Sequence, residues 1–242
     1  NEIFSNDDKI ISILGNVFKL FANYDKAIKY YEKSLAIRLK VHGDQEPSIG
    51  TSYSNLGSVW EEIGKYDKAL KYFEKSLSID LKAHGNQHPD TVMSYNNLGV
   101  VWMKKGDYGK AAEYFEKSLA INLNVHGDQH PSTAASYSHL GWVLINQNDL
   151  DASLKYYEKS LEINLKIFNE FHPSLGTNYI NLGELWTKKK NLDKALFYSK
   201  KSLEIDLKTK GEDHPWTADS LQLLGGLFTE KKDFDKALFF LE

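Results

Sequence analysis

Cysteine is absent from this sequence of 242 residues, and proline occurs only five times. Without cysteine, the chain can form no disulfide bond, thiolate nucleophile or thiolate-ligated metal centre. It has no run of about 18 apolar residues, such as a membrane-spanning helix needs, and no signal peptide is visible. These absences fit a cytoplasmic protein, and a secreted protein without cysteine would share them.

An excess of charge of one sign is also missing. The chain has 30 Lys and Arg against 33 Asp and Glu, for a formal net charge of −3. This balance gives no overall attraction to nucleic acid or to an anionic membrane, so we expect neither as a partner. Glycine-rich phosphate loops, nucleophile elbows and HExxH motifs are not found either. We therefore expect no enzyme and no cofactor.

The few prolines that are present form a regular series. They are spaced by 42 residues, and the same shift aligns six glycines. A fixed period of roughly 20 to 50 residues predicts a solenoid, which has no single globular core. The aligned residues are Pro47, Pro89, Pro131, Pro173 and Pro215, and Gly15, Gly57, Gly99, Gly141, Gly183 and Gly225.

The period divides residues 1–242 into one continuous array. The predicted repeat units are about 6–46, 47–88, 89–130, 131–172, 173–214 and 215–242, the last being incomplete. The chain begins without methionine and stops within a helical pattern, so we expect a fragment of a longer protein.

Each repeat is predicted to contain two helices. In the second repeat, apolar spacing near the 3.6-residue period predicts helix A from Pro47 to about Ile63 and helix B from Tyr66 to about His84. Gly64 suits the left-handed conformation that ends helix A. Gly106 or Asn148 takes that position in later repeats, whereas Lys190 and Lys232 do not suit it, so those turns are expected to differ. Small residues mark where helix B crosses helix A closely, at Ala27, Ala69, Ala111, Ser153, Ala195 and Ala237.

Several of these residues resemble a known repeat. The pattern Tyr53-x-x-Leu56-Gly57-x-x-Trp60, followed by Ala69 and Phe73, resembles the tetratricopeptide signature. The 42-residue length, the His-Pro start of helix A and the Ser-Leu-x-Ile motif at 76–79 and 118–121 resemble the kinesin light chain type more specifically. The resemblance implies an all-α tetratricopeptide solenoid: a right-handed superhelix of about six antiparallel helix pairs, with helix A lining a concave groove.

A row of asparagines is the first candidate for function. Asn55, Asn97 and Asn181 occupy equivalent places in helix A, with His139 in the fourth repeat. In tetratricopeptide proteins this position is similar to one that faces the groove and bonds a peptide backbone. A side-chain amide can both donate to and accept from a peptide unit without the desolvation cost of a charge. The alternative is that these side chains bond neighbouring helices and hold the stack together.

Residues around this row vary between repeats, as a specific binding surface would. Trp142 is displaced two residues from the usual tryptophan position and, with Val100 and Met103, predicts an apolar pocket between polar flanks. The alternative is that Trp142 is buried against the next repeat. The predicted peptide-binding site is completed by Asn96, Ser58, Glu184 and Lys104.

The basic segments and the histidine pairs have structural explanations. The lysines at 104–105, 188–190 and 231–232 lie at the ends of helix A, where cations complement the helix dipole, so a solvated rim is favoured over a nucleic-acid track. His84 with His88, and His126 with His130, have a spacing found among zinc ligands, but they lie in loops. A repeated loop-stabilising role explains all copies, so we predict no metal site.

The sequence therefore predicts a non-catalytic interaction module, monomeric, that binds a short extended peptide or disordered segment of a partner protein. Two alternatives stay open. The chain could be the sensor or regulatory domain of a larger effector, possibly an enzyme, or a scaffold that self-associates through its open ends. A catalytic domain in the full-length reading frame would favour the first alternative, and a concentration-independent monomer would exclude the second.

Overall fold

The computed structural model describes residues 2–43 and 46–241, with the side chains at 2–7 and 42 outside the description. Within these ranges every regular element is an α-helix, which confirms the predicted all-α class. None of the described helices is both long and apolar enough to cross a bilayer. The helices are α1 Glu2–Leu20, α2 Tyr24–His42, α3 Pro47–Glu62, α4 Tyr66–His84, α5 Pro89–Lys105, α6 Tyr108–His126, α7 Pro131–Asn146, α8 Leu150–Ile167, α9 Pro173–Lys188, α10 Leu192–Lys210, α11 Pro215–Glu230 and α12 Phe234–Leu241.

The chain forms two compact units, Asn1–Ile121 and Asn122–Glu242. In unit 1, α1 to α4 each pack against the next helix in sequence, and in unit 2 the same holds from α7 to α12. Odd-numbered helices up to α11 are the predicted helices A, and even-numbered helices are helices B. In unit 2, α7 also contacts α9, so neighbouring helices A lie side by side there.

The start of each later helix A is fixed by proline and the residue before it. Pro89, for example, takes the first helical turn, where its missing N–H is no loss. The preceding His88 accepts a hydrogen bond at Nδ1 from the backbone N–H of Asp90 over 3.2 Å. The same N-cap hydrogen bond is accepted by His130, His172 and His214 at 3.1 to 3.2 Å, and by the Glu46 carboxylate at 3.0 Å.

The turns between helices A and B share one backbone geometry. Gly64, Gly106 and Asn148 have positive φ, as predicted. Lys190 and Lys232 also have positive φ, at 56° and 60°, so the expectation that their turns differ is wrong. The reason is the hydrogen bond that closes the turn. Asn191 N–H reaches Trp186 O over 3.0 Å, as Lys65 N–H reaches Trp60 O over 2.8 Å, and this closure requires a left-handed residue whatever its side chain.

Close packing between helices A and B follows the predicted small residues. Every member of that row, from Ala27 to Ala237, is buried. In the first four repeats the glycine of helix A lies over an aromatic ring of helix B: a methyl group on Gly141 would lie 2.6 Å from the ring of Tyr157. Tyr157 is itself 1% exposed, so this contact leaves no room for a larger side chain.

Candidate functional site

A cavity of about 420 Å³ lies on the helix-A face of unit 2, between α7, α8 and α9. Four residues of the predicted site line it: His139 and Trp142 from α7, and Asn181 and Glu184 from α9. They come together because α7 and α9 pack side by side and each turns the same helical face toward the opening. We call this space the α7–α9 cavity. Its other lining residues are Pro131, Ala135, Ser138, Ser160, Asn164, Ser174, Thr177 and Asn178.

The floor of the α7–α9 cavity is a buried polar network. Asn164 Nδ2 donates to Oδ1 of Asn178 over 2.6 Å, and Asn178 Nδ2 donates to Ser160 Oγ over 2.8 Å. Ser138 Oγ lies 2.8 Å from Ser160 Oγ and completes the network. Asn164 is 5% exposed, and its Oδ1 has no hydrogen-bond partner among the described residues. A buried acceptor left without a donor costs about 1–3 kcal/mol.

The walls of the cavity combine an aromatic surface with a neutral imidazole. Trp142 is half-buried and packs against a core that includes Leu182 and Leu185, while it also lines the cavity. Trp142 is therefore partly buried against the next repeat and partly open to the cavity, so each of its two predicted placements holds in part. Burial lowers the pKa of His139 to about 4, because the imidazolium form would lose its hydration. His139 therefore carries no charge at neutral pH.

Glu184 is the one carboxylate among the residues that line the α7–α9 cavity. Glu184 is exposed at its outer side, but the cavity walls displace part of the water around its carboxyl group and so raise the pKa of that group. The positive charge of Lys188 opposes this rise, and the negative charge of Asp219 adds to it. No lysine, arginine or histidine nitrogen among the described residues lies within 4.0 Å of the Glu184 carboxylate.

Two further cavities of unit 2 adjoin the α7–α9 cavity, and we call the three together the groove of unit 2. A second cavity of about 490 Å³ between α9 and α11 shares Glu184, and a third of about 240 Å³ shares Thr177 with the first. The second cavity is lined by Asp219 and Glu230, and the third by Asp219, Asp206 and Lys210. Lys210 lies 2.6 Å from Asp206, so its charge is already balanced. The groove as a whole is acidic.

The other predicted site residues lie in unit 1, on α3 and α5. Asn55 and Ser58 are half-buried on α3. Ser58 donates to the backbone carbonyl of Asn55 over 2.9 Å and accepts from Lys19 Nζ over 3.0 Å. Lys19 also pairs with Glu62 at 2.9 Å. The polar groups of this face are therefore partly engaged between α1 and α3.

On α5 the predicted residues differ in their accessibility. Asn96, Asn97 and Val100 are half-buried, and Asn96 Oδ1 has no hydrogen-bond partner among the described residues. Met103 is 5% exposed, so it belongs to the interior and does not present the apolar surface that we expected. Lys104 is exposed but lies 2.8 Å from the Glu61 carboxylate. Burial alone would lower the pKa of Lys104, but the hydrogen bond and charge of Glu61 outweigh it and raise the pKa.

Asn164 of the cavity floor belongs to a polar row that was not predicted from the sequence. One residue in each helix B from α2 to α10, within the motif Ile-x-Leu, is buried and polar in the structure. Its partner is 14 residues later in the next helix A: Asp80 accepts from Ser94 over 2.6 Å, and Asn122 donates to Ser136 over 2.9 Å. A polar residue recurring between two apolar ones at a 42-residue period is the signal that could have revealed it. The row comprises Arg38, Asp80, Asn122, Asn164 and Asp206.

The histidines flank the loops and do not lie within them, since His84 and His126 end helices B while His88 and His130 cap helices A. Their contacts across each loop agree with the loop-stabilising role that we predicted. His84 stacks on His88 with ring centroids 4.1 Å apart, and His126 stacks on His130 at 4.2 Å. His84, His88 and Asp90 form the one group of potential metal ligands within the described part of the chain. Their rings lie nearly parallel, and His88 Nδ1 already accepts the helix N–H, so the arrangement serves the loop.

The lysines at the helix A ends pair with the preceding helix B. Lys105 lies 2.6 Å from Asp67, Lys189 lies 2.5 Å from Asp151, and Lys231 lies 2.7 Å from Asp193. These ion pairs lower the pKa of each aspartate, the hydrogen bond from lysine being the largest cause. The pairs are surface contacts between helices, which agrees with the solvated rim that we predicted.

The solved structures most relevant to this architecture are similar in fold at low sequence identity. BtubC (BKLC) from P. vanneervenii is 22% identical with a TM-score of 0.70, over 85% of this chain and 81% of that chain. The kinesin light chain TPR-like repeats of Podosopora anserina are 21% identical with a TM-score of 0.65, over 81% and 93% of the two chains. The Rap conjugation gene regulator of plasmid pLS20, in complex with the Phr* peptide, is 16% identical with a TM-score of 0.71, over 97% and 72%.

Sequence comparison gives the family. No curated protein matches this chain. The family model of the tetratricopeptide repeat matches residues 10–82, 51–121, 90–166, 143–208 and 174–242, which together span nearly the whole chain. This repeat is typically a non-catalytic protein-interaction fold. With its 42-residue period, its paired helices and these matches, the chain belongs to the tetratricopeptide repeat family.

Proposed function

We propose that this chain binds a short extended peptide, or a disordered segment of a partner protein, on its helix-A face. The observation that carries the proposal is the α7–α9 cavity, which gathers His139, Trp142, Asn181 and Glu184. An aromatic wall beside a few convergent polar groups is typical of a site that orders a flexible ligand.

The asparagine row supports this function. The alternative for these residues was bonding between helices, yet the side chains of Asn55, Asn97 and Asn181 make no hydrogen bond to another residue in the described ranges. All three are half-buried, so their amides remain available at the surface. Each amide can donate to and accept from the backbone of an extended peptide.

The comparisons add a parallel from a related architecture. The Rap regulator of plasmid pLS20 carries a bound peptide, and its fold matches 97% of this chain. That peptide belongs to the Rap protein, and for this chain it supports only the general mode of binding. Affinity in the micromolar range, about −8 kcal/mol, would suit a groove that must order a flexible segment.

A peptide-display selection against the wild-type chain tests the proposal. We expect a set of related peptides to be enriched, and we expect the double variant Asn97→Ala, Asn181→Ala to lose their binding. Circular dichroism and thermal melting of that variant should stay near wild type, since neither side chain bonds another described residue. Asn124→Ala is the matched control, because Asn124 is exposed on α6 and outside the cavity. Retained binding by the double variant would remove the asparagine row from the site.

Self-association is a second candidate, supported by exposed apolar side chains at both terminal helices. On α1, Ile10, Ile13 and Leu20 are 57%, 58% and 83% exposed, and on α12 Phe239 is 75% exposed. Gel filtration with light scattering over a range of concentrations distinguishes this candidate. A mass that rises with concentration would support it, and a constant monomer mass would exclude it.

A further inference from the structure

We propose that the α7–α9 cavity receives a lysine or arginine side chain of the bound peptide, with Glu184 as its ion-pair partner and Trp142 as its aromatic wall. This inference rests on the proposed peptide-binding function and specifies the chemistry of the ligand. It is carried by three independent features of the cavity, which concern its charge, its floor and its wall.

The first feature is an unbalanced carboxylate. Glu184 carries the only carboxyl group among the residues that line the cavity, and His139 is neutral at neutral pH. Partial burial makes the isolated carboxylate unfavourable, and a cation placed beside it would reverse that cost. Lys188 lies near enough to influence Glu184 but not within 4.0 Å of it. The next carboxylates along the groove, Asp219 and Glu230, favour the same sign of ligand.

The second feature is the unsatisfied acceptor in the floor. Asn164 lines the cavity, is 5% exposed, and leaves its Oδ1 without a donor among the described residues. At the equivalent place in the preceding repeat, Asn122 Nδ2 donates to both Ser132 O and Ser136 Oγ. A ligand that carries N–H donors can satisfy Asn164 Oδ1, whereas a carboxylate ligand cannot.

The third feature is the face of Trp142. In this chain Trp60, Trp102, Trp186 and Trp216 each have a lysine ammonium 3.8 to 4.0 Å from a ring centroid. Within the described ranges, Trp142 has none. Cations bind the faces of tryptophan rings most strongly among the aromatic side chains. The ring of Trp142 can thus contact a cation of the ligand inside the cavity, whereas the rings of the other tryptophans already contact a lysine.

Together these features select among ligands. An acidic side chain or a C-terminal carboxylate would be repelled by Glu184 and would leave Asn164 Oδ1 without a donor. An apolar side chain could pack on Trp142, but it would bury Glu184 further without a counter-charge. A long cationic side chain packs its methylene groups on Trp142 and brings N–H donors to Glu184 and Asn164.

The test is a selection from a random 12-residue phage-displayed peptide library against three proteins. These are the wild type, Glu184→Gln and the control Glu170→Gln, which removes the same charge from an exposed residue outside the cavity. We expect Lys or Arg at one fixed position among peptides enriched on the wild type and on the control, and no such preference on Glu184→Gln. Circular dichroism confirms that Glu184→Gln is folded.

A second measurement leaves the protein unchanged. A synthetic copy of the most enriched peptide is compared with copies in which the basic residue is replaced by norleucine for Lys or citrulline for Arg. We expect affinity to fall about tenfold, equivalent to about 1.4 kcal/mol, and the loss to shrink at high salt. Equal affinity for the neutral copy, or a basic preference retained by Glu184→Gln, would overturn the inference and leave peptide binding intact. Failure to enrich any peptide would instead overturn the proposed function and this inference with it.

Discussion

Asn164 and Asn178 are joined by a hydrogen bond of 2.6 Å between two buried side-chain amides. At the other positions of this row the residue in helix A is serine, namely Ser52, Ser94, Ser136 and Ser220. The larger Asn178 takes the Nδ2 donor of Asn164, itself donates to Ser160, and leaves Asn164 Oδ1 without a partner. The repeat that departs from the pattern is the one that lines the α7–α9 cavity.

Restoring serine at this position should rearrange the hydrogen bonds of the cavity floor. In Asn178→Ser we expect Asn164 to donate to the introduced hydroxyl and to the Ser174 carbonyl, as Asn122 does to Ser136 and Ser132. The free energy of unfolding should then stay within about 1 kcal/mol of wild type, since one set of buried hydrogen bonds replaces another. Peptide binding, measured by fluorescence polarisation, should weaken. An unchanged affinity would mean that the floor does not contact the ligand.

Trp142 should contribute to binding through its ring face more than through its volume. Trp142→Phe keeps an aromatic side chain against Leu182 and Leu185, so we expect a loss of stability of about 1 kcal/mol. Because phenylalanine binds cations more weakly than tryptophan does, affinity for a basic peptide should fall about three- to fivefold. Trp186→Phe is the control: Trp186 is half-buried in the same unit but does not line the cavity. A similar loss of affinity in both variants would indicate a general effect on the fold.

Gly141 should tolerate no side chain. A Cβ there would lie 2.6 Å from the buried ring of Tyr157, so Gly141→Ala should lower the free energy of unfolding by about 1–3 kcal/mol. Gly226 on α11 has nothing within 4 Å of the same position. Gly226→Ala should therefore raise stability by roughly 0.5–1 kcal/mol, because alanine favours the helix. Urea unfolding measures both, and a stable Gly141→Ala would show that Tyr157 can move aside.

His139 should make stability depend on pH. Its pKa is about 4 in the folded chain against 6.5 ordinarily, so between these values the unfolded chain binds more protons. The contribution of His139 to the free energy of unfolding is therefore fully present above about pH 6.5. As the pH falls toward about 4, up to about 3 kcal/mol of it is lost. In His139→Gln we expect a flatter profile of unfolding free energy over this interval. Identical profiles for variant and wild type would contradict the burial of the imidazole.

The fold could be predicted because the 42-residue period repeats the same physical constraints at each unit. Pro89 begins a helix and Ala69 permits close packing wherever they recur, so many positions agree on one architecture. Lys190 and Lys232 show where residue preference fails. The backbone hydrogen bond that closes the turn requires positive φ at both lysines. The rest of the repeat imposes this conformation, although it is unfavourable for a residue with a side chain.

The site could be predicted only in part, for a related reason. Equivalence along the period placed His139, Trp142, Asn181 and Glu184 on one face, and the structure brings them to one cavity. The open acceptor on Asn164 could not be predicted, because it depends on which of several possible hydrogen bonds the packed side chains form. Met103 is another such case, since its burial depends on the surroundings of its helix and not on its own residue type.

The serines of the polar row have a consequence for how this chain can evolve. A hydroxyl can act as donor or acceptor, so Ser94 donates to Asp80, whereas Ser52 accepts from Arg38 over 2.9 Å. The charge of Arg38 is balanced within its own repeat by Asp8, at 2.5 Å. If a repeat is duplicated, deleted or moved by recombination, the polar residue of its helix B can therefore still bond the serine of the helix A that follows. Asn178 replaces this serine and pairs specifically with Asn164. Selection for ligand binding should therefore keep that repeat in its position, whereas the other repeats can be exchanged.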